Sequence, residues 1–415
     1  VIDRVASAVS FDAIIVGGGP NGLAMALALA GSRALPTARV LVVDSRDPRG
    51  FNTAGADTRG SALTVATQNM FRALGCWSDL MPHVADMREI IVTDGTGRHE
   101  DRPALLSFAT DASRSPAAVI TENCHINAAL MAAIDRSPNI EVRGGVTINS
   151  IALDKAVAVL NIADGAPLRT PLLIGADGRN SFVRQQLGIA VEGHEDGQTA
   201  LTFSICHDLP HGCRAEEHFS PTGVFALLPL PGNRSSIVWG TSPQEAASLM
   251  AMDDACFEDA LNSKVGDHLG RLRLDGKRQA YPLKRQVAQA ITAPRTALVG
   301  DAAHIIHPLA GLGLNLGFKD VATLADCIAE AMRRGEDHGS DLVLARYESW
   351  RRFDIVSTVA AMEGMSALFV NDWPLLAVLR RGGLRLVDQL PAVKSVLMTE
   401  AAGMTGTLPR LMRGM

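Results

Sequence analysis

The stretch FDAIIVGGGPNGLAMALALA, residues 11–30, begins with an apolar, β-branched run and ends in strong helix formers, with a cluster of glycines between. That order reads as a buried strand, a tight turn and a helix. Gly17, Gly19 and Gly22 fit the pattern G-x-G-x-x-G between that strand and a helix over residues 22–30. Glycines there let the backbone turn sharply and approach a pyrophosphate, whose charge the helix N-terminus favours. After a loop marked by Gly31 and Pro36 comes VLVVD, residues 40–44, a second strand ending in Asp44. An acid at that point is positioned to accept hydrogen bonds from a ribose. The βαβ unit predicts a bound adenine dinucleotide; the alternative is a glycine turn in a nucleotide-free unit.

The rest of the chain bounds this reading. Its 415 residues correspond to two or three domains at about 150 residues each, which excludes a disulfide miniprotein. Hydrophobic residues make up 47% and charged residues 20%, the composition of a folded globular chain. A net charge of -5 gives no global reason to bind nucleic acid. Cys76, Cys124, Cys206, Cys213, Cys256 and Cys327 show no C-x-x-C spacing, which suits free thiols in the cytoplasm. No apolar run is long enough to span a membrane and no secretory leader is expected.

Two later strands also end in glycine and acid: residues 172–174 before Gly175-Ala176-Asp177-Gly178, and residues 296–299 before Gly300-Asp301. FAD and NAD share the first fingerprint. The later Gly-Asp segments, and the lack of a second G-x-G-x-x-G for a separate nicotinamide domain, favour FAD. Between the later segments, residues 199–206, 224–228 and 236–239 read as strands, followed by the capping box Ser242-Pro243-Gln244-Glu245. From Asn315 onward the chain is mostly helical. Beyond Gly364 it carries apolar clusters and six bases (Arg380, Arg381, Arg385, Lys394, Arg410, Arg413) against Asp372, Asp388 and Glu400.

GADGRNSFVR (residues 175–184) and ALVGDAAHIIHPLAGLGLNLGFKDVATLA (residues 297–325), together with the first motif, resemble the single-component FAD-dependent aromatic hydroxylases of para-hydroxybenzoate hydroxylase-like fold. DTRGSALTVATQNMFRALGCW (residues 57–77) and VITENCHINAALMAAI (residues 119–134) extend the resemblance over nearly the whole chain. Within that superfamily the HPLAGLGLNLGFKD segment and the tail are similar to the ubiquinone-biosynthesis hydroxylases. The resemblance implies an α/β architecture. A discontinuous Rossmann-like FAD-binding domain would occupy residues 1–75, 105–184 and 282–340, with an inserted β-sheet substrate domain at 76–104 and 185–281 and a helical C-terminal region at 341–415.

It also implies site residues. Gly17, Gly19, Pro20, Gly22 and Asp44 would hold the dinucleotide. Arg59 matches the family arginine that approaches the FAD ribose and pyrophosphate, and Asn123 falls where relatives place a polar residue near it. Asp177 would combine a cofactor role with capping its own turn. Gly300 and Asp301 would meet the ribityl chain. The turn through Pro308, Gly311, Leu312 and Gly313, with Leu314 and Asn315 opening a helix, would offer N–H groups to the flavin pyrimidine edge, where reduced flavin is negative. Leu312 stands where many ubiquinone-pathway relatives have Gln, and His125 where Arg is common.

Side-chain chemistry is sparse because the cofactor performs the hard steps. His307 is the candidate acid or base, against a bland role within its loop. His304 and His307 lack a third metal ligand, and Cys206, His207, His211 and Cys213 have irregular spacing, so no metal is expected. The resemblance implies that a donor, NADH or NADPH, reduces FAD, that O2 adds to give a flavin hydroperoxide, and that a polyprenylated phenol is hydroxylated. Pro308 and residues 224–229 and 236–239 are candidate pocket walls. The basic, apolar tail suits an anionic membrane surface or a ubiquinone-biosynthesis complex, the alternative being a helical cover packed on the FAD domain. The alternatives are hydroxylation of a small soluble aromatic on the same fold, and a flavin-bound non-catalytic subunit; no W-x-W-x-I-P segment points to a halogenase.

Overall fold

The computed structural model describes residues 11–32, 37–52, 57–94, 104–109, 116, 118–220, 222–306, 313–370 and 402–415. His307, Pro308, Gly311 and Leu312 lie outside them, as does most of the tail, residues 371–401.

The strand expected before the glycine turn is Ala13–Val16, and it lies inside a six-stranded sheet. It pairs in parallel with Val40–Val43 on one side and Leu173–Gly175 on the other. Ile140–Arg143 extends the sheet beyond Val40–Val43, and Thr296–Leu298 extends it beyond Leu173–Gly175, both in parallel. Thr292–Ala293 closes that edge by antiparallel pairing. The central strands are buried at every position, as parallel strands covered on both faces must be. Helix Pro20–Ala30 packs between helices Asn123–Asp135 and Gly313–Arg333, and Leu23, Met25, Ile14, Ile15 and Leu41 form one core.

An eight-stranded sheet is the second body of the fold. Its backbone is a pair of 17-residue antiparallel strands, Val191–His207 and Leu272–Ala288. Leu201, Phe203 and Ile205 alternate along the first and pack on Phe257 and Leu261 of helix Asp254–Val265. Ala200, Thr202 and Ser204 therefore project from the opposite face. Ser242 caps helix Pro243–Ala251 through the Glu245 N–H, as the capping box predicts, whereas the Glu245 carboxylate turns to the Thr241 hydroxyl.

The large sheet reaches beyond the stretches expected for it. Ala104–Ala109 pairs with Glu89–Asp94 inside it, Leu272–Ala288 runs past residue 281, and His304–Ile305 adds a strand at its edge. Ladder hydrogen bonds carry the strands across the boundaries that motif order suggested. That continuity places the end of the Gly300-Asp301 turn directly against the large sheet. Helix Asp341–Val370 follows, and residues 402–415 return across the molecule: Asn69 Nδ2 donates to the Met412 carbonyl at 3.3 Å and the Arg410 N–H to Asp326 at 2.8 Å.

Candidate active site

The strand-to-helix turn is built as its glycines require. Gly17 has φ +113°, and a Cβ there would stand 2.2 Å from the carbonyl oxygen of Ala176. A Cβ on Gly22 would lie 1.9 Å from the Gly17 carbonyl oxygen. At Gly19, by contrast, a Cβ would meet nothing within 4 Å. Gly19 caps helix Pro20–Ala30 without a side-chain bond, and no acid occupies the first turn. The positive end of the helix thus opens onto free space, the cradle a pyrophosphate needs. Asp44 braces the turn, accepting the Gly18 N–H at 2.8 Å and the Arg46 N–H at 2.9 Å.

This turn forms one end of a cleft of about 300 Å³ between the two sheets. Gly19, Pro20, Arg59, Asn123, Asp301, Gly313 and Leu314 all border it, so residues from five separate segments converge. Arg59 is held by Asp57, Nε at 2.8 Å and Nη2 at 2.6 Å from its two carboxylate oxygens. Asn123 donates to Asp57 at 3.2 Å and accepts from Ser61 at 2.7 Å, which fixes the pair from behind. Burial pushes the Asp57 carboxyl upward, but Arg59 and Asn123 outweigh it and hold the group below its usual range. The bond to Asp57 likewise raises Arg59, which stays charged.

Tyr281 faces the same space, with the guanidinium carbons of Arg59 and Arg179 at 5.9 and 5.8 Å from its ring centre. Burial raises its phenol above the ordinary value, so it stands neutral in the cleft. Asp301 is exposed on the cleft wall, beyond the turn at Gly300, whose φ is +60°. Asn21 links the first and last motifs. A Cβ on Gly300 would lie 2.1 Å, and one on Gly317 2.6 Å, from its Nδ2. Its Oδ1 is buried with no hydrogen-bond partner, an acceptor left open beside the cleft. The glycine cradle, the charged Arg59, the exposed Asp301 and this open acceptor fit an FAD in donor and acceptor chemistry.

Other expected residues have different commitments. Asp177 accepts from Ser181 Oγ at 2.5 Å and from the Val183 N–H at 3.0 Å, so its carboxylate is used in the turn it caps; burial raises it. The Asn315 amide stitches helix Gly313–Arg333 to strand Gly60–Thr64, donating to the Ala62 carbonyl at 2.6 Å and accepting from Thr67 Oγ1 at 2.7 Å. Any contact it makes to a cofactor is left to its backbone. His125 stacks on His83 with ring centres 4.0 Å apart. His207 and His211 spend their ring nitrogens on Leu209, Ser235, Leu230 and the Cys213 N–H.

Beneath the Gly300 turn lies a charge network that motif reading did not single out. Asp320, fully buried, bonds His304 Nε2 at 2.7 Å and Arg351 Nε at 2.7 Å, and Arg351 also meets Asp354 at 2.5 Å. His304 borders the cleft. The Asp57-x-Arg59 spacing could have been found in the sequence. Tyr281, one of two tyrosines in the chain, carried no such signal.

The family model described as an FAD binding domain matches residues 10–360. A ubiquinone hydroxylase of Rhodospirillum rubrum is 36% identical over 406 residues, covering 97% of this chain and 92% of its own length. The 3-demethoxyubiquinol 3-hydroxylase of Escherichia coli is 31% identical, covering 94% of this chain and 98% of its own. Among solved structures, the p-nitrophenol 4-monooxygenase of Pseudomonas putida superposes with a TM-score of 0.78 at 19% identity, over 95% of this chain and 98% of that one.

Proposed function

Because the chain belongs to the FAD-binding-domain family, and is an FAD-dependent aromatic monooxygenase by that membership, we propose that it hydroxylates the ring of a polyprenylated phenol in ubiquinone biosynthesis. The observation that carries the reading is the similarity, along nearly the full length of both chains, to hydroxylases named for ubiquinone and demethoxyubiquinol. The convergent cleft supports it.

When bound, FAD supplies the activation of O2 and the transfer of one oxygen atom to an electron-rich ring, with water as the other product. The chain's residues bind, orient and insulate. Gly17, Gly19, Pro20 and Gly22 hold the pyrophosphate at the helix N-terminus, Asp44 and Asp301 accept from sugar and ribityl hydroxyls, and Arg59, fixed by Asp57, neutralises phosphate charge. Gly300 sets the turn that carries Asp301. Gly313, Leu314 and Asn315 offer backbone N–H groups at the start of their helix, and Pro308, Gly311 and Leu312 complete that segment by sequence. Asn123 acts through Asp57, and Asp177 holds the turn that brings Arg179 to the cleft. His307 remains the sequence candidate for taking the phenol proton. NADH or NADPH is the electron donor in this reading. No helix among the described residues is long and apolar enough to cross a membrane; the basic tail supports delivery of substrate from an anionic lipid surface, and docking to a biosynthetic complex.

Lipid extracts of a strain deleted for the gene test the proposal. Accumulation of one under-hydroxylated prenylphenol, cleared by the intact gene, is the expected result. A normal quinone profile in a strain with no second ring hydroxylase would overturn it.

A further inference from the structure

His304 is only 3% exposed, yet it borders the cleft. It lies on the edge strand His304–Ile305, where pairing with Val287 fixes its backbone. A Cβ on Gly313 would lie 3.7 Å from Ile306 Cγ1, so this strand and the start of helix Gly313–Arg333 meet at one end of the cleft. The ring is held from below, with Nε2 2.7 Å from Asp320 Oδ2. Burial pushes the Asp320 carboxyl up, but His304 and Arg351 outweigh it and keep the group ionised. A carboxylate at that point fixes the ring proton on Nε2 and leaves Nδ1 as an acceptor. Nδ1 bonds no described residue, so the open nitrogen belongs to a ring that borders the cleft.

The charges packed around this imidazole are balanced without it. Arg351 pairs with Asp320 and Asp354, and Lys319 with Asp354 at 2.8 Å, which sets two cations against two carboxylates. Burial raises the Tyr347 phenol, which stays neutral and donates to the Leu298 carbonyl at 2.8 Å. Arg184 donates to the Ala302 carbonyl at 2.8 Å and faces Asp177. On strand Leu272–Ala288, Lys284 pairs with Glu195 and Arg285 bonds His194. Asp301, on the turn itself, is exposed and screened by water. His304 is thus neutral in this arrangement, and its charge is the one that changes at small cost. Arg351 stays charged at any working pH, and Asp320 is locked by three donors.

We propose that His304 takes up a proton at Nδ1 when bound FAD is reduced, so that an imidazolium held by Asp320 balances the charge of the reduced flavin. The step is balanced in atoms and electrons. Two electrons and one proton, delivered together as a hydride by a nicotinamide donor, convert FAD to its anionic reduced form. One further proton, from solvent, binds Nδ1 and is released when the flavin is oxidised again. At an effective dielectric of about 20, a unit negative charge within about 8 Å raises the proton affinity of an imidazole about 30-fold. The inference uses the cofactor alone, so it stands or falls apart from the phenol proposed above.

Two measurements on the full-length holoprotein test this. In the first, the protein is equilibrated anaerobically with a redox dye at fixed potential, and the ratio of reduced to oxidised FAD is read from absorbance between about pH 6 and pH 9. Uptake of two protons makes that ratio fall about 100-fold per pH unit, and uptake of one about tenfold. Wild type is expected to follow the steeper law over part of the range. His304→Gln, which keeps a donor for Asp320 but has no basic nitrogen, is expected to follow the shallower law throughout. Equal slopes in the two proteins overturn the proposal: both steep assigns the proton to another group, and both shallow shows that no second proton is taken up. The second measurement needs no variant to fold. In wild-type protein labelled with 15N-histidine, the His304 ring is assigned through its contacts with Val287 and Ile305, and FAD is reduced with dithionite. Nδ1 is expected to move from the position of an unprotonated ring nitrogen to that of a protonated one. An Nδ1 that stays put, or that is protonated before reduction, overturns the proposal.

Discussion

The carboxylate of Asp320 accepts the backbone N–H of Gly300 at 2.9 Å, tying the helix that follows the cleft to the turn that carries Asp301. Both are buried, and the same oxygen meets His304 while the other meets Arg351. Asp320 is therefore the junction of the loop, the cleft wall and helix Asp341–Val370.

Removing one member of a buried pair leaves the other charge stranded. Asp320→Asn and Arg351→Met are each expected to lower unfolding free energy by about 3–5 kcal/mol, and the double variant by less than their sum. Urea unfolding measures this. Losses under about 1 kcal/mol would show that the network adds little.

Asn21 predicts a trade between apoprotein stability and cofactor affinity. Its Oδ1 is a buried acceptor without a hydrogen-bond partner. Asn21→Leu, close in shape, is expected to leave the apoprotein melting temperature unchanged or raised while weakening FAD binding about tenfold. Fluorescence titration of apoprotein with FAD, beside melting curves, checks both. A drop in apoprotein stability with unaltered FAD affinity would assign Asn21 a packing role only.

Arg59 meets the cleft only because Asp57 and Asn123 hold it. Arg59→Ala is expected to weaken FAD binding by roughly 10- to 100-fold, the range for a charge-assisted contact. Asp57→Asn should do so by less, since the guanidinium stays but loses its fixed geometry. Equal affinity in both variants and wild type, by the same titration, would remove Arg59 from the cofactor site.

Acid should destabilise the protein through its paired carboxylates. Asp57 and Asp320 both lie below the ordinary value of 3.8 in the folded state. Their contribution is thus fully present above the unfolded value and is lost as pH falls through the lower folded values. Stability is expected to fall progressively below about pH 4, and Asp57→Asn should flatten part of that slope. Urea midpoints across this pH range read it out. An Asp57→Asn profile parallel to wild type would contradict the assignment.

Much of the strand-to-helix turn was legible in the sequence alone. Gly17 and Gly22 announce a backbone that only glycine permits, and Asp44 closes the same βαβ unit. These signals lie within a short span of chain, where local sterics and strand-to-helix geometry dictate what each position tolerates. The inserted sheet was legible as alternating strands, but its edges were not, because ladder pairing with Ala104–Ala109 and His304–Ile305 is set by distant partners.

The residues that complete the site belong to tertiary structure. Asp320 and Arg351, and Tyr281 between Arg59 and Arg179, each bring together side chains from separate segments. By itself the sequence determined that a dinucleotide turn forms and which backbone positions must stay bare. Which charges are buried in pairs and which acceptor is left without a partner were decided only by packing, because desolvation acts on the neighbours that folding assembles.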